Sequence, residues 1–174
     1  PFTQMQDWLE DPSPLVIARG KKATLFDTDG NAYLDGVSSL WTNVHGHSHP
    51  RLNAALSSQL EKLQHSTLLG LANVPSIEFA EALLKVAPAG LSKVFYSDSG
   101  SSAMEIACKL AYQYWQNQGG KAARKTKFVT FSESYHGDTL GAVSLGGIDL
   151  FHKVYKPLLF PTIQIPTPYG EGKA

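Results

Sequence analysis

One cysteine, Cys108, occurs among 174 residues, so no internal disulfide can form and the stapled scaffolds of small secreted proteins are excluded. Neither charge is in excess, with Lys+Arg 15 against Asp+Glu 15. That balance argues against a nucleic-acid or membrane-surface partner, since both demand a basic excess. No apolar run has the length needed to cross a bilayer. Internal repeats and low-complexity tracts are also missing. The start, Pro1-Phe2-Thr3-Gln4-Met5, has neither an initiator methionine nor the basic-then-apolar order of a signal peptide. The expected location is therefore the cytoplasm. The missing methionine and the abrupt end at Gly170-Glu171-Gly172-Lys173-Ala174 lead to the expectation of a piece of a longer protein. What is present is a hydrophobic content of 43%, which suits a globular core.

Two segments, Ala23–Asp27 and Asn31–Asp35, read as strands joined by a tight turn at Asp29-Gly30. Leu15-Val16-Ile17 is expected to add a third strand, and a loop rich in glycine and histidine runs from Trp41 to His49. Pro50 opens a helix whose apolar positions are Leu52, Ala55, Leu56, Leu60 and Leu63. A second helix is expected over 76–86, stopped by Pro88 and Gly90, and a third over 102–118, ended by Gly119-Gly120. Ser102 and Glu105 have the spacing of a capping box for that third helix. Short strands are expected at Val94-Phe95-Tyr96 and Phe128–Phe131, and an irregular, proline-rich stretch from Lys156. Strands alternating with helices after residue 50 predict an α/β layer. Residues 1–49 are then a separate hairpin-bearing segment, and 50–174 the α/β part.

Four features could carry chemistry. Ser97-Asp98-Ser99-Gly100-Ser101-Ser102, placed before a helix, offers free backbone N–H groups, hydroxyls and the positive end of a helix dipole. Those are the parts that hold a phosphate, although an ordinary capped turn would look the same. Gly100 would let the backbone approach an anion closely. Tyr135-His136-Gly137-Asp138-Thr139 follows a strand, where ligands of open α/β sheets gather. The ring of Tyr135 could stack on a flat heterocycle, with Gly137 giving it room; taken alone, a surface turn is the plainer interpretation. His45, His47 and His49 would share one face of an extended segment, but a hydrogen-bonded loop explains them better than a metal does. Cys108 lies mid-helix without a partner histidine and reads as a small packing residue. Trp41 belongs either to a core or to a pocket wall.

Taken together, Leu25 to Gly36, His45-Gly46-His47-Ser48-His49-Pro50, Ser97 to Glu105 and Tyr135-His136-Gly137 resemble, in order, four motifs of the class III pyridoxal-phosphate-dependent aminotransferases. The resemblance covers essentially the whole chain. It implies the aspartate-aminotransferase-like fold (fold type I), with 1–49 as an arm and 50–174 as the first part of the large domain. Within the class, Pro1 to Met5, Ser38-Ser39-Leu40-Trp41, His65 to Gly70 and Tyr135 to Thr139 resemble the biotin-pathway branch. That branch transfers an amino group to the keto acid 8-amino-7-oxononanoate, giving 7,8-diaminononanoate, and works as a homodimer with active sites at the subunit interface. The resemblance implies that Gly100 and Ser101 contact the cofactor phosphate and that Tyr135 stacks on its ring and touches substrate. It further implies that Leu40, Trp41 and Phe2 line the substrate pocket.

Many members have a Trp pair at Leu40-Trp41, Tyr at Phe2 and Gly at Ser134. The first two differences alter the pocket, so the donor could be S-adenosylmethionine or lysine. The lysine that holds the cofactor covalently is expected beyond Ala174, so none of the residues present is assigned a catalytic role. Two other readings compete: a different class III ω-amino acid or amine transaminase, and a non-catalytic phosphate-binding module. The resemblance predicts that these 174 residues alone form no covalent bond to pyridoxal phosphate. Borohydride reduction and peptide mapping check this; one stoichiometrically labelled lysine, with turnover of an amino donor, is the contrary result.

Overall fold

A computed structural model of the chain describes residues 15–146, 148 and 153–168. Its contacts divide it into two units, Pro1–Leu91 and Ser92–Ala174, each described by itself.

The first unit begins with an antiparallel sheet of order β1-β2-β3, made of β1 (Ile17–Lys21), β2 (Thr24–Asp27) and β3 (Ala32–Leu34). Leu25 pairs with Tyr33 and Gly20 with Leu25, and the register shifts between Ile17 and Arg19. The β2–β3 turn is organised by Asp27, which is buried. Its carboxylate accepts from the backbone N–H groups of Asp29 and Asn31, the Asn31 amide and the Tyr33 hydroxyl. These bonds, the Asn31 amide foremost, hold its carboxyl below the ordinary range against the opposing effect of burial. Gly30 takes φ +88 there, a conformation that favours glycine.

After Asp35 the chain makes one left-handed turn over Ser38–Trp41, with φ of 52, 48, 62 and 71. Each such L-residue costs roughly 1–2 kcal/mol. The loop 43–49 is then strapped to the sheet. Lys22 and His47 exchange both backbone bonds, at 3.0 and 2.8 Å, and the Ser48 hydroxyl donates to the Gly20 carbonyl. Helix α1 (Pro50–Leu60) follows, with Pro50 in its first turn, and stops before Leu63. Helix α2 (Val74–Val86) starts two residues before the expected Ser76, because Asn73 is its cap and accepts from the Ser76 N–H.

The second unit contains α3 (Gly100–Gln118), β4 (Val129–Phe131), α4 (Leu140–Leu145) and β5 (Ile163–Ile165), with 3-10 turns at Ala122–Arg124 and Lys153–Leu158. Strands β4 and β5 pair in parallel, Thr130 opposite Gln164. Three expectations are corrected here. Val94-Phe95-Tyr96 joins no ladder among the described residues, and apolar character without a paired strand does not make one. The stretch after Lys156 does contain a strand, β5, whose three residues between Pro161 and Pro166 are too few to show alternation. The capping box at Ser102 does not form. Ser99 caps α3 instead, so the helix starts at Gly100. Cys108 is half-buried, and burial pushes its thiol up, which suits packing and not nucleophilic chemistry.

Among the described residues the buried apolar side chains are Ala142, Val143 and Leu145, all on α4. The apolar stripes of α1 and α2, including Leu52, Leu56, Phe79 and Leu83, are exposed. The 174-residue chain alone is therefore expected to bind a hydrophobic dye and to associate as its concentration rises. A monodisperse monomer by ultracentrifugation, melting cooperatively without dye binding, would count against this.

Asp35 accepts from the Ser39 N–H, the His47 imidazole and the Ser39 hydroxyl, which lower its pKa from 3.8 to about 2. A folded pKa below the unfolded one stabilises above pH 3.8, and that stabilisation is lost as pH falls through about 2. The stability margin of the parent protein over Asp35→Asn, from urea unfolding at a series of pH values, should shrink across that window. A margin that does not change with pH would contradict it.

Candidate cofactor site

The N-terminus of α3 is capped by Ser99 and exposed. Ser99 is extended, with φ −155 and ψ 167, and its hydroxyl accepts from the Ser102 N–H while its carbonyl accepts from Ala103. Two first-turn donors, the N–H groups of Gly100 and Ser101, have no partner among the described residues. They sit at the positive end of a 19-residue helix. A side chain on Gly100 would meet nothing within 4 Å, so the approach to these groups is clear.

The loop after β4 comes back to this end. The Asp138 N–H donates to the Ser101 hydroxyl at 3.2 Å, which leaves the hydroxyl its own hydrogen to give. Gly137 is buried with φ +116, and a Cβ there would lie 1.9 Å from Ser101 Oγ. Gly137 thus makes room for Ser101.

Glu105, one turn further along α3, completes the connection. Its carboxylate accepts from the Thr139 hydroxyl at 2.6 Å and the Gly141 N–H at 2.8 Å, at the start of α4. Its pKa is lowered by Thr139 first, against partial burial, and then by the backbone N–H groups of Gly141 and Ala142. Glu105 therefore serves the next helix and not its own. A Cβ on Gly141 would fall 2.2 Å from Glu105 Oε2, so the carboxylate would have to shift to admit one.

Tyr135 is 49% exposed, and its hydroxyl donates to Asp138 Oδ2 at 2.6 Å, which raises the phenol's pKa. The bond pins the far end of the ring. Gly100, Ser101 and the Tyr135 loop are thus brought together within one unit. Leu40 and Trp41 lie in the other unit, exposed on the left-handed turn, and Phe2 falls outside the described residues. The sequence reading missed Glu105, Asp138 and Thr139 as parts of the site. All three fall within the stretches that carry the resemblance, Ser97 to Glu105 and Tyr135 to Thr139, but their partners across the site lie more than 30 residues away.

The histidine loop is hydrogen-bonded. His47 donates from Nε2 to Asp35 at 2.7 Å, and the rings of His45 and His49 meet edge to face with centroids 6.1 Å apart. No helix among the described residues is long and apolar enough to cross a membrane.

The class-III aminotransferase family model matches residues 5–173. The chain is 54% identical over 97% of its length to the adenosylmethionine-8-amino-7-oxononanoate aminotransferase of Geobacter sulfurreducens, covering 37% of that protein. It is 56% identical to the protein of the same name from Nitratidesulfovibrio vulgaris, over 97% of this chain and 31% of that one. The crystal structure of the Methanocaldococcus jannaschii protein of that name superposes with TM-score 0.91 at 50% identity, over 97% of this chain and 38% of that one. A PMP-bound aminotransferase from Vibrio fluvialis superposes with TM-score 0.88 at 28% identity, over 99% of this chain and 38% of that one. The chain spans about a third of the length of these relatives. With an α/β unit that presents a phosphate-type helix end beside an open tyrosine ring, it belongs to the class-III aminotransferases, the pyridoxal-phosphate-dependent enzymes of this fold.

Proposed function

We propose that the chain supplies the phosphate cup and ring-stacking face of a transaminase acting in biotin biosynthesis. The reaction proposed is amino transfer to 8-amino-7-oxononanoate, with S-adenosylmethionine or lysine as donor. The observation that carries the proposal is the meeting of Ser101 with the Gly137-Asp138 backbone at the start of α3. The names borne by relatives more than half identical to this chain support the substrate. In this reading 1–49 is the arm and 50–174 the first part of the large domain, and the whole enzyme is a cytoplasmic homodimer.

The residues present fit the cofactor. The Gly100 and Ser101 N–H groups and the Ser101 hydroxyl would hold the phosphate. Tyr135 would stack on the pyridine ring, and the Tyr135–Asp138 bond would fix the angle of that face. Glu105 would keep the two loops at a constant separation. Pyridoxal phosphate, when bound, supplies an electron sink for cleavage of a bond at the amino-bearing carbon. Leu40, Trp41 and Phe2 would form the apolar wall that receives the keto acid chain.

Three measurements follow. Gly137→Ala in the full-length enzyme should weaken pyridoxal-phosphate binding by at least about tenfold, because Cβ and Ser101 Oγ cannot share one place. An unchanged cofactor affinity would remove the proposed cup. Tyr135→Ala should lower cofactor affinity more than Tyr135→Phe, since stacking needs the ring and not the hydroxyl; equal losses would argue against stacking. Assays of the full-length enzyme with 8-amino-7-oxononanoate against 4-aminobutyrate or ornithine test the substrate. Preference for either of the latter would move it to another branch of the class.

A further inference from the structure

We infer that Asp35 and His47 are positioning residues, which clamp the left-handed turn Ser38–Trp41 so that Leu40 and Trp41 stand as a fixed substrate wall. The inference rests on the transaminase reading above. It starts from a backbone outlier: four successive non-glycine residues, Ser38 to Trp41, have φ between 48 and 71. Strain of that kind persists only where the surroundings over-determine it, and it gathers at functional positions. Among the described residues packing does not hold this turn, since Leu40 is 68% and Trp41 73% exposed.

Polar bonds hold it instead, and they lead back to the sheet step by step. Within the turn, Trp41 N–H donates to the Val37 carbonyl at 2.8 Å and Thr42 N–H to that of Ser38 at 3.0 Å. Asp35 Oδ1 takes the Ser39 N–H at 2.8 Å, and Oδ2 takes both the Ser39 hydroxyl at 2.8 Å and His47 Nε2 at 2.7 Å. His47 is fixed in turn by its paired backbone bonds to Lys22. Its ring lies against Gly20, where a Cβ would come within 2.6 Å of Cγ. The path from β1 through His47 and Asp35 to Ser39 has no flexible side chain in it. A rigid mount under two exposed apolar residues suits a wall that must not move when substrate arrives.

The test uses the full-length enzyme. Hydrogen exchange over residues 36–43 reports the turn directly, and the KM and kcat for 8-amino-7-oxononanoate report the wall. In His47→Ala, exchange and KM should each rise about tenfold, with kcat within about threefold and pyridoxal phosphate still bound by its absorbance. His47→Gln, which keeps a donor towards Asp35, should recover most of both. If His47→Ala does not fold, Ser39→Ala removes one bond to Asp35 and carries the same comparison with a smaller effect. Unchanged exchange, or raised exchange with unchanged KM, overturns the inference. So does a His47→Gln as impaired as His47→Ala, which would reduce His47 to packing over Gly20. An inactive parent enzyme would end the transaminase reading and the wall's role with it. An active parent whose KM ignores these variants ends this inference alone.

Discussion

The Ser101 hydroxyl occupies the space that a side chain on residue 137 would need, the gap to a Cβ being 1.9 Å. The other contacts of the proposed cofactor site are arranged around that close approach. It lets the Asp138 N–H reach Ser101, places Thr139 and Gly141 within reach of Glu105, and leaves Tyr135 beside the open end of α3. A phosphate cup needs unpaired N–H groups, and a stacking ring needs a fixed distance from them. In the proposed site, one glycine with a positive φ and one helix cap would serve both demands. Because Ser99 takes the Ser102 N–H and the Ala103 N–H, the unpaired donors that remain are those of Gly100 and Ser101.

The first unit uses a similar economy of carboxylates. Asp27 closes the β2–β3 turn with four accepted bonds, and Asp35 joins the end of the hairpin to both the left-handed turn and the histidine loop. Among the described residues neither carboxylate has a salt bridge to lysine or arginine. Each is stabilised by short N–H and O–H donors, so the geometry of the donors and not net charge sets where the chain goes. That agrees with a composition in which charges balance and the charged fraction is only 17%.

The apolar faces show the opposite pattern. The helices carry the periodicity of core elements, yet their stripes lie open, while relatives of known structure are far longer. An amphipathic stripe says that a face will be covered and is silent about what covers it.

Local physics was enough for much of this. The Asp29-Gly30 turn, the helix opened by Pro50 and the helix that follows the serine-rich loop depend on turn chemistry, proline and 3.6-residue periodicity, all contained in a few neighbouring residues. The stretches proposed to hold the cofactor, around Gly100 and Tyr135, are contiguous in the sequence for the same reason. What tertiary structure alone decided are the matters set by residues distant in sequence. Glu105 looked like a cap for its own helix, and caps one that begins 35 residues later. Val94–Tyr96 looked like a strand but has no ladder, and Ile163–Ile165 became one because β4 lay beside it. The left-handed turn at Ser38–Trp41 carries no glycine to announce it, and arises because Asp35 and His47 hold Ser39 from outside. Hydrogen-bonding capacity is written in residue types, but which donor meets which acceptor is settled only when the chain folds back on itself.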